Sequence, residues 1–271
     1  MNGKTIFISG ASRGIGRAIA IKLAAQGANI VIAAKSVTED PRLGGTIHTV
    51  AEEVNSAGGR ALAIPCDIRE EDQILYAIRE TISFFGGIDA VINNASAISL
   101  TRTEQTEAKK FDLMHDINVR GTFLLTKYCI PFLKKSENPH IITLSPPLNI
   151  TPQWLGTALP YALSKFNMSM MAIGWAEELK DYKIASNSLW PKTTIATAAV
   201  KNLLGGEMLI QRSRKPEIIA DAVDYILHQP STTYTGQNLL DEDVLRNAGV
   251  SDFEPYSIVP GGPLQKDLFL D

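Results

Sequence analysis

Tyr161 and Lys165 lie four residues apart in the run Tyr161-Ala-Leu-Ser-Lys165, the only Tyr-x-x-x-Lys sequence in the chain. Residues at this spacing share one face of a helix, and Pro160 suits a helix start, so we expect both side chains to point the same way. A nearby ammonium favours the phenolate form of a tyrosine, whose free pKa is about 10. The pair therefore predicts proton transfer near neutral pH, with Tyr161 as general acid or base. The alternative is a Tyr–Lys pair on a solvated helix face.

A glycine loop, Gly10-Ala-Ser-Arg-Gly14-Ile-Gly16, follows the apolar run Ile6-Phe7-Ile8 and precedes a helical pattern. Glycines at these positions allow a tight turn and close approach of the backbone to a pyrophosphate. The following helix N-terminus offers free N–H groups and positive dipole to the phosphates. The loop predicts a dinucleotide cradle, and an ordinary glycine-rich turn is the alternative. The residues that we expect to contact the cofactor here are Gly10, Ser12, Arg13, Gly14, Ile15 and Gly16.

The choice of cofactor depends on charge near the ribose. An NAD-dependent enzyme usually ends its second strand with a carboxylate that binds the ribose hydroxyls. This chain has Ala33-Ala34-Lys35-Ser36 there, and Arg13 lies inside the glycine loop. Two cations favour a 2′-phosphate through charge-assisted hydrogen bonds. We therefore predict NADP(H), the alternative being that Lys35 and Arg13 only point into solvent.

Short apolar runs alternate with longer amphipathic runs along the chain, a pattern typical of parallel strands joined by right-handed helical crossovers. The predicted fold is α/β: a doubly wound parallel sheet (Rossmann fold) of about seven strands with helices on both faces. The expected strands are Thr5–Ser9, Asn29–Ala34, Arg60–Cys66, Ile88–Asn93, His140–Ser145, Lys183–Trp190 and Gln237–Asp241. The expected helices are Gly14–Gln26, Thr46–Ala57, Glu70–Phe85, Glu107–Lys134, Tyr161–Lys180, Ile195–Leu204 and Lys215–Gln229.

Nothing in the 271 residues indicates a second domain, and the whole length suits one large α/β domain. Residues 1–243 are predicted to form this domain. Residues 244–271 contain three prolines and show little periodicity, so we predict that they form an extended arm, packed on the same domain or on a neighbouring subunit.

The bulk composition excludes several functional classes. The net charge of −3 provides no basic field for nucleic acid and no polybasic membrane patch. The four histidines are scattered without ligand spacing, so no metal is predicted. Cys66 and Cys129 are far apart and fit a reducing compartment as small buried residues. With no signal segment and no membrane-length apolar run, a cytoplasmic location is expected.

The glycine spacing and the Tyr161–Lys165 pair together resemble the short-chain dehydrogenase/reductase family. Ser9 stands where the family usually has Thr, and Asn93-Asn94-Ala95 matches its Asn-Asn-Ala-Gly element, with Ser96 in place of the glycine. The resemblance implies an adenine contact from Asp67, for which a helix cap is the alternative, and cofactor contacts from Ser9, Asn94, Tyr161 and Lys165.

The same resemblance implies a catalytic asparagine at Asn118, for which a plain structural role is the alternative. The family's catalytic serine ends the fifth strand as the second residue of a Ser-Ser pair. This chain reads Ser145-Pro146, so the hydroxyl at that position is missing and Ser145 is the nearest candidate. Thr143 or Asn149 are conceivable substitutes. Pro191 and Thr193, after the sixth strand, are expected near the cofactor, although Lys192 replaces the family's glycine.

Four stretches further resemble the hydroxysteroid dehydrogenase-like protein 2 branch of this family, whose animal members carry an added sterol-carrier domain. They are Asn-Asn-Ala-Ser-Ala-Ile-Ser-Leu, Leu-Ser-Pro-Pro-Leu-Asn, Leu-Trp-Pro-Lys-Thr and Pro-Leu-Gln-Lys-Asp-Leu-Phe-Leu-Asp. The resemblance implies an NADP(H)-dependent oxidoreductase acting on a small-molecule carbonyl or alcohol, assembled as a homodimer or homotetramer. The competing hypothesis is a non-catalytic NADP(H)-binding sensor or scaffold, suggested by the missing serine.

Overall fold

Seven parallel strands form one sheet in the computed structural model, which describes residues 1–271, and the strand order is β3-β2-β1-β4-β5-β6-β7. The order reverses between β1 and β4, which is the switch point where doubly wound sheets bind ligands at the carboxyl ends of their strands. The predicted fold class is confirmed. The strands are β1 Thr5–Ser9, β2 Asn29–Ala34, β3 Arg60–Pro65, β4 Ala90–Asn93, β5 His140–Leu144, β6 Ala185–Trp190 and β7 Asn238–Leu240.

Helices cover both faces of the sheet because successive strand residues point to opposite sides. In β1, Ile6 and Ile8 pack into a core shared with the first, second and ninth helices, whereas Phe7 packs into the opposite core with the third, fifth and seventh. The helices are α1 Gly14–Ala24, α2 Ile47–Ser56, α3 Glu71–Phe85, α4 Ala108–Met114, α5 Thr122–Leu133, α6 Pro152–Thr157, α7 Leu159–Glu178, α8 Gly206–Gln211, α9 Glu217–His228 and α10 Asp241–Asn247.

The largest departure in the first half concerns the predicted Glu107–Lys134 helix. It is divided by a π-helical segment, His115–Gly121, between α4 and α5. A Cβ on Gly121 would lie 2.7 Å from Ile68 Cδ1, so this residue lets the helix pass close to the loop after β3. The segment places Asn118 in the protein interior, where its exposed area is nil.

Two predictions in the second half are wrong in their bounds. The expected helix at 195–204 begins only at residue 198 and continues as a π-helical segment at Val200–Leu204. Three short helices, α6, α8 and α10, were not anticipated because each is too short to show periodicity. Since α10 runs to Asn247, the extended arm begins after it and not at Val244.

Residues after α10 lie against the same domain without forming a further strand or long helix. Isolated bridges pair Thr193 with Lys266 and Arg214 with Ser257. They attach the segment to the loop after β6 and to the loop between α8 and α9. Cys66 and Cys129 are free and buried. No helix has the length and apolar character that a membrane span requires.

Candidate functional site

The glycine loop is closely packed against the loop that follows β4. Gly10 has a φ of +68°, and a Cβ on it would lie 2.8 Å from Ala95 Cα. A Cβ on Gly16 would lie 2.6 Å from Asn94 Nδ2. Gly14, with a φ of +55°, begins α1. Side chains at these positions would push the two loops apart, so glycine is required by the packing as well as by the turn.

Ser9 and Asn94 join the two loops through hydrogen bonds. The Ser9 hydroxyl oxygen accepts bonds of 3.1 Å from the backbone N–H groups of Asn94 and Ala95. The Asn94 amide nitrogen donates to the carbonyl oxygens of Ser9 and Gly10 at 2.9 and 3.0 Å. Ser9 is buried, and its hydroxyl also donates to the Ile92 carbonyl at 3.3 Å, so it holds the two loops together.

A cleft of about 410 Å³ runs along the carboxyl ends of β1, β2 and β4, beside the glycine loop. Pockets of this size commonly hold cofactors and other small molecules. Its far wall is the segment after β6, around Thr197 to Leu203. The predicted residues that line it are Gly10, Ser12, Arg13, Gly14, Ile15, Lys35, Asp67 and Asn94. Four others, Ser9, Gly16, Pro191 and Thr193, lie behind or beyond this lining.

The two predicted cations stand at one end of the cleft but in different surroundings. Arg13 donates from Nη2 to Ser36 Oγ at 2.7 Å, and from Nε to the Gly44 carbonyl at 2.9 Å. Arg13 Nη2 also donates to the Gly45 carbonyl at 3.2 Å, so the guanidinium holds the loop between β2 and α2 in place. Lys35 is exposed at the cleft and forms no ion pair.

Asp67 lines the cleft and is engaged by a neighbour on its own loop. The Arg69 guanidinium bonds both carboxylate oxygens, with Nη2 to Oδ2 at 2.6 Å, and the Arg69 N–H donates to Oδ1 at 3.1 Å. These bonds hold the pKa of Asp67 below its ordinary value, and the charge of Lys35 adds to the effect. Asp67 therefore closes a turn before α3 while its carboxylate remains at the cleft wall.

Tyr161 and Lys165 both lie on the buried face of α7, next to the end of β5. The Lys165 ammonium donates to the Leu144 carbonyl at 2.6 Å and lies 3.4 Å from Ser96 Oγ, a residue of the cleft wall. It also stands 5.2 Å from the Trp190 ring centre. Tyr161 is only 4% exposed, and its hydroxyl has no hydrogen-bond partner in the protein. The alternative of a solvated helix face is therefore wrong.

The protonation states of this pair differ from the expectation. Burial raises the pKa of Tyr161 above its ordinary value, and the negative charge of Asp267 adds to the rise. Burial also lowers the pKa of Lys165 to about 7, although Asp267 opposes this. The expected fall in the pKa of Tyr161 is not seen, because loss of hydration disfavours the charged phenolate. Tyr161 is a protonated phenol at neutral pH.

Asn118 links the loop after β4 to α7 without touching Lys165. Its Oδ1 accepts from the Ala97 N–H at 2.8 Å, and its Nδ2 donates to the Ala97 carbonyl and to Ser164 Oγ, both at 2.9 Å. Ser164 is the residue before Lys165. The π-helical segment, a feature that is frequent at functional sites, thereby fixes the loop after β4 against α7.

Two buried hydroxyls near the ends of β5 and β6 have no hydrogen-bond partner, namely Ser145 Oγ and Thr193 Oγ1. Buried polar atoms of this kind are uncommon and call for an explanation. The Thr143 hydroxyl already has a hydrogen-bond partner, since its Oγ1 accepts a bond of 3.4 Å from Asn93 Nδ2. The Pro146 carbonyl accepts from Ser169 Oγ at 2.6 Å. Among the hydroxyls near the expected serine position, Ser145 is thus the one left unbonded.

The sequence did not reveal two residues that lie beside Tyr161, both from the segment after α10. Asp267 accepts a bond of 2.7 Å from the Leu268 N–H, and burial raises its pKa to about 7. Phe269 is 3% exposed and stacks near the Tyr161 ring. Both belong to the terminal stretch that resembles the hydroxysteroid dehydrogenase-like protein 2 branch, but an irregular segment shows no pattern from which its docking place can be inferred.

Comparisons with known proteins identify the family of this chain. The family profile described as short chain dehydrogenase matches residues 4–206. The chain is 54% identical over 269 residues to hydroxysteroid dehydrogenase-like protein 2 of Danio rerio and 52% identical to that of Homo sapiens. Each alignment covers 99% of this chain but only 64% of the relative's length. The relatives therefore contain a further region that this chain does not match.

Solved structures show the same likeness over the whole chain. A short chain dehydrogenase from Mycobacterium thermoresistibile is 53% identical with a TM-score of 0.94, covering 100% of this chain and 96% of that one. A putative dehydrogenase from Xanthomonas campestris is 48% identical with a TM-score of 0.96, covering 100% and 98%. The likeness therefore includes the segment after α10.

Proposed function

Since the chain belongs to the short-chain dehydrogenase family, whose members are oxidoreductases, we propose that it transfers a hydride between NADP(H) and a carbonyl or alcohol substrate, with Tyr161 as general acid or base. The observation that carries this proposal is the buried Tyr161–Lys165 pair, whose ammonium reaches the wall of the cofactor cleft at Ser96.

The residues of the cleft fit a dinucleotide. Gly10 and Gly16 leave no room for a Cβ, which is what close approach of a pyrophosphate to the backbone requires. The free N–H groups at the start of α1 and the hydroxyl of Ser12 would bind the phosphates. Asp67 would hold the adenine end, and Arg13 and Lys35 would bind the 2′-phosphate of NADP(H).

Proton transfer falls to the side chains of α7. NADPH, when bound, would supply the hydride to the carbonyl carbon. Tyr161, protonated at neutral pH, would donate its phenolic proton to the carbonyl oxygen, and this kind of catalysis is typically worth about 10²–10⁴-fold. Lys165, whose pKa burial lowers to about 7, would return a proton to the phenolate. In the reverse direction Tyr161 would act as base.

Ser145, Thr193, Pro191 and Asn118 complete the proposed site. The unbonded hydroxyl of Ser145 would orient the substrate oxygen in place of the missing family serine, and that of Thr193 would bind the nicotinamide end together with Pro191. Asn118 would hold the loop after β4 and α7 at a fixed separation, acting through Ala97.

We further propose a homodimer or homotetramer in the cytoplasm. Apolar side chains on the outer faces of α5 and α7 are exposed, including Phe123 at 45% and Met170 at 51%. Such patches commonly mark interfaces between protein chains. The two free, buried cysteines, Cys66 and Cys129, suit a reducing compartment.

The second candidate is a non-catalytic NADP(H)-binding sensor, which the proline at position 146 favours because it removes the family's catalytic hydroxyl. The deciding experiment measures cofactor consumption with both NADPH and NADH across aldehydes, ketones and ketosteroids. The matched variant is Tyr161→Phe, which keeps the buried ring and removes only an unbonded hydroxyl.

We expect turnover with at least one substrate, faster with NADPH, and a loss of about 10²–10⁴-fold in Tyr161→Phe with NADPH binding unchanged. Binding of NADPH without consumption of any compound would favour the sensor. Turnover by Tyr161→Phe near that of the unaltered protein would contradict the role of the phenol.

A further inference from the structure

The segment Lys266–Asp271, which we term the pocket segment, is fastened to the carboxyl end of β6. The Asp267 N–H donates to the Lys192 carbonyl at 3.2 Å, next to the bridge between Thr193 and Lys266. The Trp190 indole N–H donates to the Leu268 carbonyl at 3.1 Å. These bonds bring the pocket segment to the same edge of the sheet as Tyr161.

Phe269 is the centre of an aromatic group around the catalytic residue. Its ring centre lies 6.1 Å from that of Tyr161, with an angle of 30° between the ring planes. The other members are Phe166 at 5.0 Å, Trp154 at 5.9 Å and Trp190 at 6.4 Å. Such separations are typical of packed aromatic pairs. Phe269 therefore occupies space directly beside the phenol.

The conformation of Phe269 is imposed by its surroundings. Its φ is +68°, a region that bulky residues adopt only at a cost in energy. Asn149 Nδ2 donates to the Phe269 carbonyl at 3.3 Å and to Asp271 Oδ2 at 3.0 Å. The Trp154 indole N–H donates to Asp271 Oδ1 at 3.1 Å. Asn149 and Trp154 both come from the connection between β5 and α7, so this connection holds the backbone on either side of the Phe269 ring in place.

The open cleft stops short of this aromatic group. Its lining reaches Ser96, which contacts Lys165, but it includes neither Tyr161 nor Phe269. A carbonyl substrate that meets the Tyr161 hydroxyl would therefore come close to the Phe269 ring, which packs against the Tyr161 ring. The side chains around Phe269 are aromatic, so this side of the substrate space favours compact, apolar substituents on the carbonyl carbon.

We propose that Phe269 is a specificity-determining residue, which limits the size of the carbonyl substrate that is accepted beside Tyr161. This inference rests on the proposed function, in which the carbonyl substrate binds at Tyr161. Removing the ring should admit larger substituents, since one methylene more or less in an apolar pocket changes specificity by about 10- to 200-fold.

The test compares Phe269→Leu and Phe269→Ala with the unaltered protein on propanal and 2-acetylnaphthalene. Phe253→Ala is the matched control, because Phe253 is also a buried phenylalanine after α10 but packs against Arg214 and Arg246 instead. We expect kcat/KM for 2-acetylnaphthalene, divided by that for propanal, to rise at least about 10-fold in Phe269→Ala and less in Phe269→Leu. The control should leave the ratio unchanged. A constant ratio in the Phe269 variants, or an equal rise in the control, would overturn the inference.

A second measurement separates this inference from the proposed function. Calorimetric binding of 2-acetylnaphthalene to the NADP⁺-loaded protein requires no turnover. Tighter binding by at least about 10-fold in Phe269→Ala supports the inference even if no compound is reduced, an outcome that would reject only the proposed function. Equal binding in both proteins, or none in either, would count against a size limit set by Phe269.

Discussion

Replacing Lys35 by alanine is the sharpest test of the proposed cofactor choice. Lys35 follows β2, is exposed at the cleft and has no carboxylate partner. Its ammonium is therefore free to meet a 2′-phosphate, and no structural bond is lost when it is removed. We expect the variant to keep its stability and its activity with NADH, and to lose affinity for NADPH selectively.

The expected size follows from the exposure of Lys35. A hydrogen bond to a charged group contributes about 1.5–3 kcal/mol, and an exposed cation belongs at the lower end of that range. About 1.4 kcal/mol corresponds to a tenfold change in an equilibrium constant. The preference for NADPH over NADH, as a ratio of kcat/KM values, should thus fall about tenfold in Lys35→Ala.

Arg13→Ala should affect the kinetics with both cofactors, because the Arg13 side chain also stabilises a loop. It bonds Ser36 Oγ and the carbonyls of Gly44 and Gly45, and these bonds hold the loop between β2 and α2 at one end of the cleft. Its removal releases that loop as well as the proposed phosphate ligand. We therefore expect KM to rise for both cofactors, with a larger rise for NADPH.

The assay is steady-state kinetics with each cofactor at constant ionic strength, on whichever substrate the panel identifies. Arg42→Ala is the matched control, since Arg42 is a cation of the same loop that pairs with Asp40 at 3.0 Å. The reasoning is refuted if Lys35→Ala changes the NADPH-to-NADH ratio by less than about twofold, or by no more than the Arg42 control.

Three further outcomes are expected. Gly16→Ala should lower the free energy of unfolding by about 1–3 kcal/mol, while Gly87→Ala, which has open space around it, should not; urea titration measures both. Asn118→Ala should cost about 1–3 kcal/mol by the same titration, because it strands buried polar groups. The folded state holds the Asp267 proton until about pH 7, whereas the unfolded chain loses it near pH 4. Stability should therefore fall across that window relative to Asp267→Asn, and parallel pH profiles for the two proteins would contradict this.

Local signals predicted the parts of the site that depend on short stretches of sequence. The run from β1 through Gly10 to α1 carries its own strand, turn and helix pattern, and Tyr161 and Lys165 are neighbours on one helix. Both features were therefore predicted from spacing alone. The doubly wound parallel class follows from the alternation of strands and helices, because right-handed crossovers leave few arrangements for such a chain, whereas the strand order is known only from the structure.

Contacts between distant parts of the chain could not be predicted from local sequence patterns. The pKa of Tyr161 depends on its burial, which comes from α7 packing beneath the segment that carries Asp267. The docking of Phe269 depends on Asn149 and Trp154, more than 100 positions earlier in the chain. The π-helical segment around Asn118 likewise reflects bonds to other elements, which periodicity does not record.

The hydrogen bonds between Ser9 and Asn94 have a thermodynamic consequence for binding. They fix the glycine loop against the loop after β4, so the fold itself sets the shape of the backbone that is proposed to bind the phosphates. Ordering a loop on association would cost conformational entropy and weaken affinity. Here that ordering is completed during folding, so the free energy of the phosphate contacts is available almost entirely for affinity.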